Sequence, residues 1–109
     1  MINVPQNSPA YSEELFGPIA VIIPFKTKAE AVALANQSDY GLGASIWTKN
    51  IEKAKELAKQ LDVGNVFINS LVKSDPRLPF GGIKKSGYGR ELSLMGIREF
   101  LNAKTVYVQ

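Results

Sequence analysis

Two loops in this 109-residue sequence concentrate the residue types that could do chemistry. The first, LPFGGIKKSGYGRE (78–91), sets Gly81, Gly82, Gly87 and Gly89 beside Lys84, Lys85 and Arg90, just before a stretch that reads as helix. Glycine turns that free backbone N–H groups, with cations alongside, are how many proteins cradle a phosphate. Gly82 to Gly87 reproduces the GxxxxG part of a P-loop, but Tyr88 stands in the place of its lysine. Gly87 and Gly89 give GxG without the third glycine of a dinucleotide fingerprint. Both motifs also need a strand feeding directly into the loop, and Asp75–Pro76 and Pro79 intervene. Two readings stand from the residues alone, a phosphate cradle and a simple bend of the chain.

The second loop carries Ser70, Lys73, Ser74, Asp75 and Arg77 after a strand-like run, where α/β proteins place their sites. A hydroxyl beside a cation could bind a carboxylate or a phosphate. The simpler reading makes Lys73 and Arg77 solvated charges. Nucleophilic catalysis by the serines is not expected, because the chain has no histidine to act as base. A third candidate is EELFGP (13–18), which could present a carboxylate and a ring together; the simpler reading is an exposed acid and a core phenylalanine.

The elements that would position these loops follow from periodicity. IAVIIPF (19–25) is an apolar, β-branched run typical of a strand buried on both faces, with Pro24 limiting it to its own end or to an edge. TKAEAVALANQ opens with Thr27 and has Glu30 three residues on, a capping box at a helix start. LGASIWT (42–48) is the second strand. NIEKAKELAKQLD follows, with Ile51, Ala54, Leu57, Ala58 and Leu61 at helical spacing. After Gly64, NVFIN makes a third strand. The order strand–helix–strand–helix–strand predicts an α/β fold with a parallel sheet and right-handed crossovers. ELSLMGIREFLNA reads as a C-terminal helix, and KTVYVQ alternates as a last strand without a partner of its own. Residues 1–18, rich in Pro, Asn and Ser, predict little regular structure.

Composition narrows the functional classes. A length of 109 residues allows one domain, and a net charge of +3 spread along the chain gives no footprint for nucleic acid. With neither cysteine nor histidine, disulfides, thiolate catalysis and the usual zinc sites are excluded within this chain. No apolar run reaches membrane-spanning length and the N-terminus lacks a secretory pattern, so no membrane partner and a cytoplasmic location are expected.

Taken in order, EELFGP, ANQSDYGLGASIWT, GNVFIN, LPFGGIKKSGYGRE and GIREFLNAKTVYV resemble the C-terminal part of the NAD(P)-dependent aldehyde dehydrogenase family, from about Glu13 onward. KSDPRLPFGG and KKSGYGREL look most like its succinate-semialdehyde dehydrogenase branch. The resemblance implies that residues 1–102 are part of a catalytic domain and 103–109 an oligomerisation strand that joins a neighbouring subunit. It implies that Glu14 bonds the nicotinamide ribose hydroxyls and that Phe16 packs near the nicotinamide of NAD or NADP. Ser74 would help to hold a substrate's distal carboxylate. Asn69 and the loop after it would wall the substrate tunnel, and Phe80, Gly81 and Gly82 would form an anchor loop near the aldehyde. The glycines of 81–89 would then bend the chain, with the pyrophosphate held elsewhere. No catalytic residue and no metal ligand carries over: the family's cysteine, general-base glutamate, oxyanion asparagine and cofactor domain precede EELFGP. The chain alone is therefore expected to be inert and not to bind the dinucleotide. The competing expectation is a non-catalytic α/β module that self-associates, and a weaker one is a phosphate-binding module built on 78–91.

Overall fold

The computed structural model describes residues 4–109, in two compact units divided between Ser38 and Asp39, each taken by itself below. In the first unit, Pro9–Ser12 make a single helical turn, α1, where the composition predicts irregular chain. Pro9 stands in the first turn, where its fixed φ suits a helix and its missing N–H costs nothing. Residues 19–25 are not the expected strand. They run extended with one bridge position at Ile22, and Ile19, Ile22 and Phe25 are each at least half exposed. A β-branched apolar run favours extended backbone, but a strand also needs neighbours to take up its N–H and C=O groups.

Helix α2 (Lys28–Asn36) starts as the capping box predicts, with one shift. The Thr27 hydroxyl accepts from the Glu30 N–H at 3.2 Å, while the Glu30 carboxylate accepts from the N–H of Lys26 rather than that of Thr27, at 2.7 Å.

The second unit opens with β1 (Tyr40–Gly41) and β2 (Gly43–Ile46), continues into α3 (Ile51–Ala58) and returns as β3 (Asn65–Ile68). Strands β2 and β3 pair in parallel, Gly43 opposite Asn65 and Ile46 opposite Ile68. The expected parallel β–α–β unit therefore forms, but with two strands rather than three. Asn50 caps α3 by accepting from the Lys53 N–H at 2.9 Å. Helix α3 turns Ala54 inward until it is 2% exposed, and its other face carries the Lys55–Glu52 and Lys59–Glu56 pairs. These exposed i,i+3 pairs add only tenths of a kcal/mol, so burial of the apolar stripe is what seats the helix.

Beyond β3 the chain makes β4 (Ile83–Lys84), antiparallel to β1, and then α4 (Ser93–Glu99). The two-residue β1–β4 pairing lies inside a segment that shows no periodicity. The expected last strand is absent as well: residues 102–109 have no regular structure, and Val106, Tyr107 and Val108 are exposed. An alternating sequence becomes a strand only where another edge receives its hydrogen bonds.

Strand β3 and the glycine-rich loop meet backbone to backbone. A Cβ placed on Gly64 would run into the carbonyl of Gly81. We expect Gly64→Ala to cost about 3 kcal/mol in urea denaturation, since neither side of that contact is a flexible side chain. A neutral or stabilising effect, as for a glycine with room around it, would contradict this packing.

Candidate functional site

The site is assembled on the loop 69–91, and two asparagines, one at the start of β3 and one just past its end, hold it. Asn65, at the start of the strand, donates from its side-chain amide to the carbonyls of Leu42 at 2.9 Å and Gly81 at 2.8 Å. Asn69 lies just past the end of the strand with φ of 54°, a left-handed conformation that asparagine tolerates better than most residues. Its amide accepts from the Thr48 N–H at 2.8 Å and donates to the Thr48 carbonyl at 2.9 Å. That side chain extends the β2–β3 ladder by one imitation peptide. Asn69, expected at the substrate wall, thus has both ends of its amide engaged in the scaffold.

The glycine-rich loop is built as a scaffold too. Five of its N–H groups are directed at carbonyls: Lys85 to Asp39, Ser86 to Ile83, Gly87 to Lys84, and Phe80 and Glu91 to each other. Gly87 and Gly89 have φ of 110° and 77°, which explains glycine there without any ligand. Lys85 and Arg90 are occupied as well. Arg90 donates from Nη1 to the carbonyls of Gly82 at 3.0 Å and Gly89 at 2.7 Å. The Lys85 ammonium pairs with the Asp39 carboxylate, which holds the acid below its ordinary pKa and raises that of the lysine. These donors are spent on bending the chain.

Ser74 and Phe80 share one segment of the second unit. Ser74 is exposed, and directly after it the Asp75 carboxylate accepts from the Arg77 N–H at 3.0 Å, Nε at 2.9 Å and Nη2 at 2.7 Å. Those hydrogen bonds from Arg77 hold the Asp75 carboxyl far below the usual carboxylate range. Phe80 is half-buried and fixed by its two-way backbone bridge to Glu91, at 2.9 and 2.8 Å. An open, mostly apolar groove of about 490 Å³ lies beside this segment, between Pro76, Ile97 of α4 and Phe100 at the helix end. In the first unit, Glu14 is exposed and Phe16 presents 90% of its surface, against the simpler reading of a core ring. The exposed carboxylate can accept from hydroxyl donors, and the ring can stack on a flat group. One acid and one ring fit the edge of a nucleotide and are too few to hold a whole one.

The model of the aldehyde dehydrogenase family matches residues 1–106. The chain belongs to that family. Over 108 residues it is 54% identical to a probable succinate-semialdehyde dehydrogenase [NADP(+)] of Synechocystis, an alignment covering 99% of this chain and 24% of that protein. Its structure superposes on the succinic semialdehyde dehydrogenase of Streptococcus pyogenes, solved with NADP+, with a TM-score of 0.94 and 45% identity, covering 98% of this chain and 24% of the other. The betaine aldehyde dehydrogenase of Staphylococcus aureus, solved with NAD+, aligns at 0.87 with 39% identity, covering 94% and 20%. The chain thus spans about a quarter of the length of these aldehyde dehydrogenases. Among the described residues, no helix is long and apolar enough to cross a membrane.

The feature that reading the sequence missed is the Asp75–Arg77 pair, whose signal was the Asx-turn sequence Asp-Pro-Arg. A depressed carboxyl contributes above its unfolded pKa and loses that contribution only as pH falls through the folded value. We therefore expect carboxyl-carbon NMR to show Asp75 ionised from about pH 8 to about pH 4, with its midpoint climbing toward about 3.9 in Arg77→Gln. A midpoint already near 4 in the unaltered protein would contradict the pair.

Proposed function

We propose that this chain is the C-terminal part of an aldehyde dehydrogenase that oxidises succinate semialdehyde to its acid with NAD(P), and that it is inert by itself. The observation that carries this reading is the match of nearly the whole chain to about a quarter of succinate-semialdehyde dehydrogenases, in a chain with no cysteine. The nucleophilic thiolate and the main dinucleotide site then lie outside these 109 residues. Residues 1–102 belong to the catalytic domain, working in the cytoplasm, and residues 103–109 add a strand to a neighbouring subunit in a homo-oligomer. The exposure of Val106, Tyr107 and Val108 favours that pairing, since apolar side chains this open mark surfaces meant to be covered.

In the complete enzyme Glu14 accepts hydrogen bonds from the nicotinamide ribose and Phe16 packs beside the ring, while bound NAD(P) supplies the hydride acceptor. Ser74 donates to the distal carboxylate of the aldehyde, and Phe80 lines the pocket beside it. No nucleic acid or membrane takes part. The same exposed tail supports a second reading, a non-catalytic module that self-associates or captures intact relatives. A sedimentation profile of monomer only, with no capture of an intact relative, would remove it.

Purified alone, the chain should reduce neither NAD nor NADP with any aldehyde, whereas a full-length polypeptide carrying it should do so with succinate semialdehyde. In that polypeptide Glu14→Gln should raise the KM for NADP about tenfold, the loss of one hydrogen bond to a charged group. An unchanged KM would remove Glu14 from the cofactor site.

A further inference from the structure

We propose that Asp75 and Arg77 form a clamp that positions Ser74 for the distal carboxylate of the substrate; the proposal rests on the reading of Ser74 given above. The segment carrying Ser74 is anchored before and after it. Val72 packs over Gly43 of β2, where a Cβ would come within 2.9 Å of the valine methyl. At the far end Phe80 bridges to Glu91. Between these anchors the chain would be free to move, were it not for the turn at 75–78. There the Asp75 carboxylate takes three donors from Arg77, the Leu78 N–H donates to the Asp75 carbonyl at 2.9 Å, and the Ser93 N–H of α4 donates to the Pro76 carbonyl at 3.1 Å. Ser74 is the residue next to the locked aspartate.

The pair has little to do with global stability. It joins residues two apart in one loop, draws no distant element together, and leaves the Arg77 side chain 86% exposed. Exposed ion pairs of this kind contribute little to folding. What a bidentate fork does fix is local geometry, and a hydroxyl that recognises a carboxylate gains affinity by being held in place beforehand. Charge gives the arginine a second task. An ionised Asp75 beside an anionic substrate would repel it, and the guanidinium cancels that field. Removing Arg77 therefore both frees the turn and uncovers the negative charge, while removing Asp75 only frees the turn.

The test uses a full-length aldehyde dehydrogenase carrying this segment, assayed with succinate semialdehyde and with butanal, an uncharged aldehyde of the same length. Asp75→Ala should raise the KM for succinate semialdehyde about tenfold, and Arg77→Gln should raise it further. Asp75→Asn, which can still accept from the Arg77 N–H, should fall between the unaltered enzyme and Asp75→Ala. The kcat values and the KM for butanal should stay within about twofold, because the reacting carbonyl is not what the clamp orients. In a Ser74→Ala background Asp75→Ala should add nothing, the mark of two residues acting through one contact. Equal losses on both aldehydes, or an unchanged KM for succinate semialdehyde in both Asp75→Ala and Arg77→Gln, would overturn the clamp. If Ser74→Ala itself leaves that KM unchanged, the reading of Ser74 fails and the proposal falls with it.

Discussion

The side-chain amide of Asn65 is the constraint on which the second unit depends. One residue at the start of β3 donates to carbonyls from two separate segments, Leu42 ahead of β2 and Gly81 in the glycine-rich loop. Those carbonyls lie where no regular ladder reaches them, and a partly buried carbonyl left unpaired is costly. The amide therefore fixes how far the loop stands from the sheet. Once Gly81 is set, the close approach of Gly64 follows, the bridge from Phe80 to Glu91 can close, and Arg90 meets the carbonyls of Gly82 and Gly89. Helix α4 begins two residues beyond that bridge, on a backbone that the loop has already aimed.

This construction separates two jobs that the residue types alone run together. The glycines and cations of 78–91 look like a ligand site and act as joinery. The candidate recognition group, Ser74, sits exposed directly before the neighbouring turn, whose backbone is held by hydrogen bonds. A turn made this way is held in its main chain while Ser74 and Arg77 stay open to solvent. Elsewhere the surface leaves many large apolar side chains open. Ala54 is the one fully packed hydrophobic side chain among the described residues, while Trp47, Leu71, Phe100 and the apolar tail stand open. In the proposed enzyme these are faces for the rest of the polypeptide to cover.

Local chemistry was legible in the sequence wherever the signal and its partner lie within one turn of each other. Thr27 with Glu30 announces its helix because a capping hydrogen bond spans three residues. The β2–α3–β3 unit was legible for a related reason, since periodicity in each piece sets its type and the short connections set their order. What failed depends on partners far along the chain. IAVIIPF and KTVYVQ have the composition of strands, but composition cannot supply an edge to pair with. Strands β1 and β4 are two residues long, too short for any period to show. The Lys85–Asp39 pair joins residues 46 apart, and nothing in either neighbourhood announces it. Asp75 and Arg77 are the instructive exception: they lie two residues apart, yet a charge in a loop reads as solvated until its geometry is seen.

The loop owes its order to one amide, and hydrogen exchange in a variant without that amide reads this dependence out. In Asn65→Ala the N–H groups of Phe80, Lys85 and Glu91 should lose protection together, by about tenfold or more, while those of β3 and α3 keep most of theirs. Unchanged protection across 80–91 would show that the loop stands without Asn65, and the structural hierarchy drawn here would be wrong.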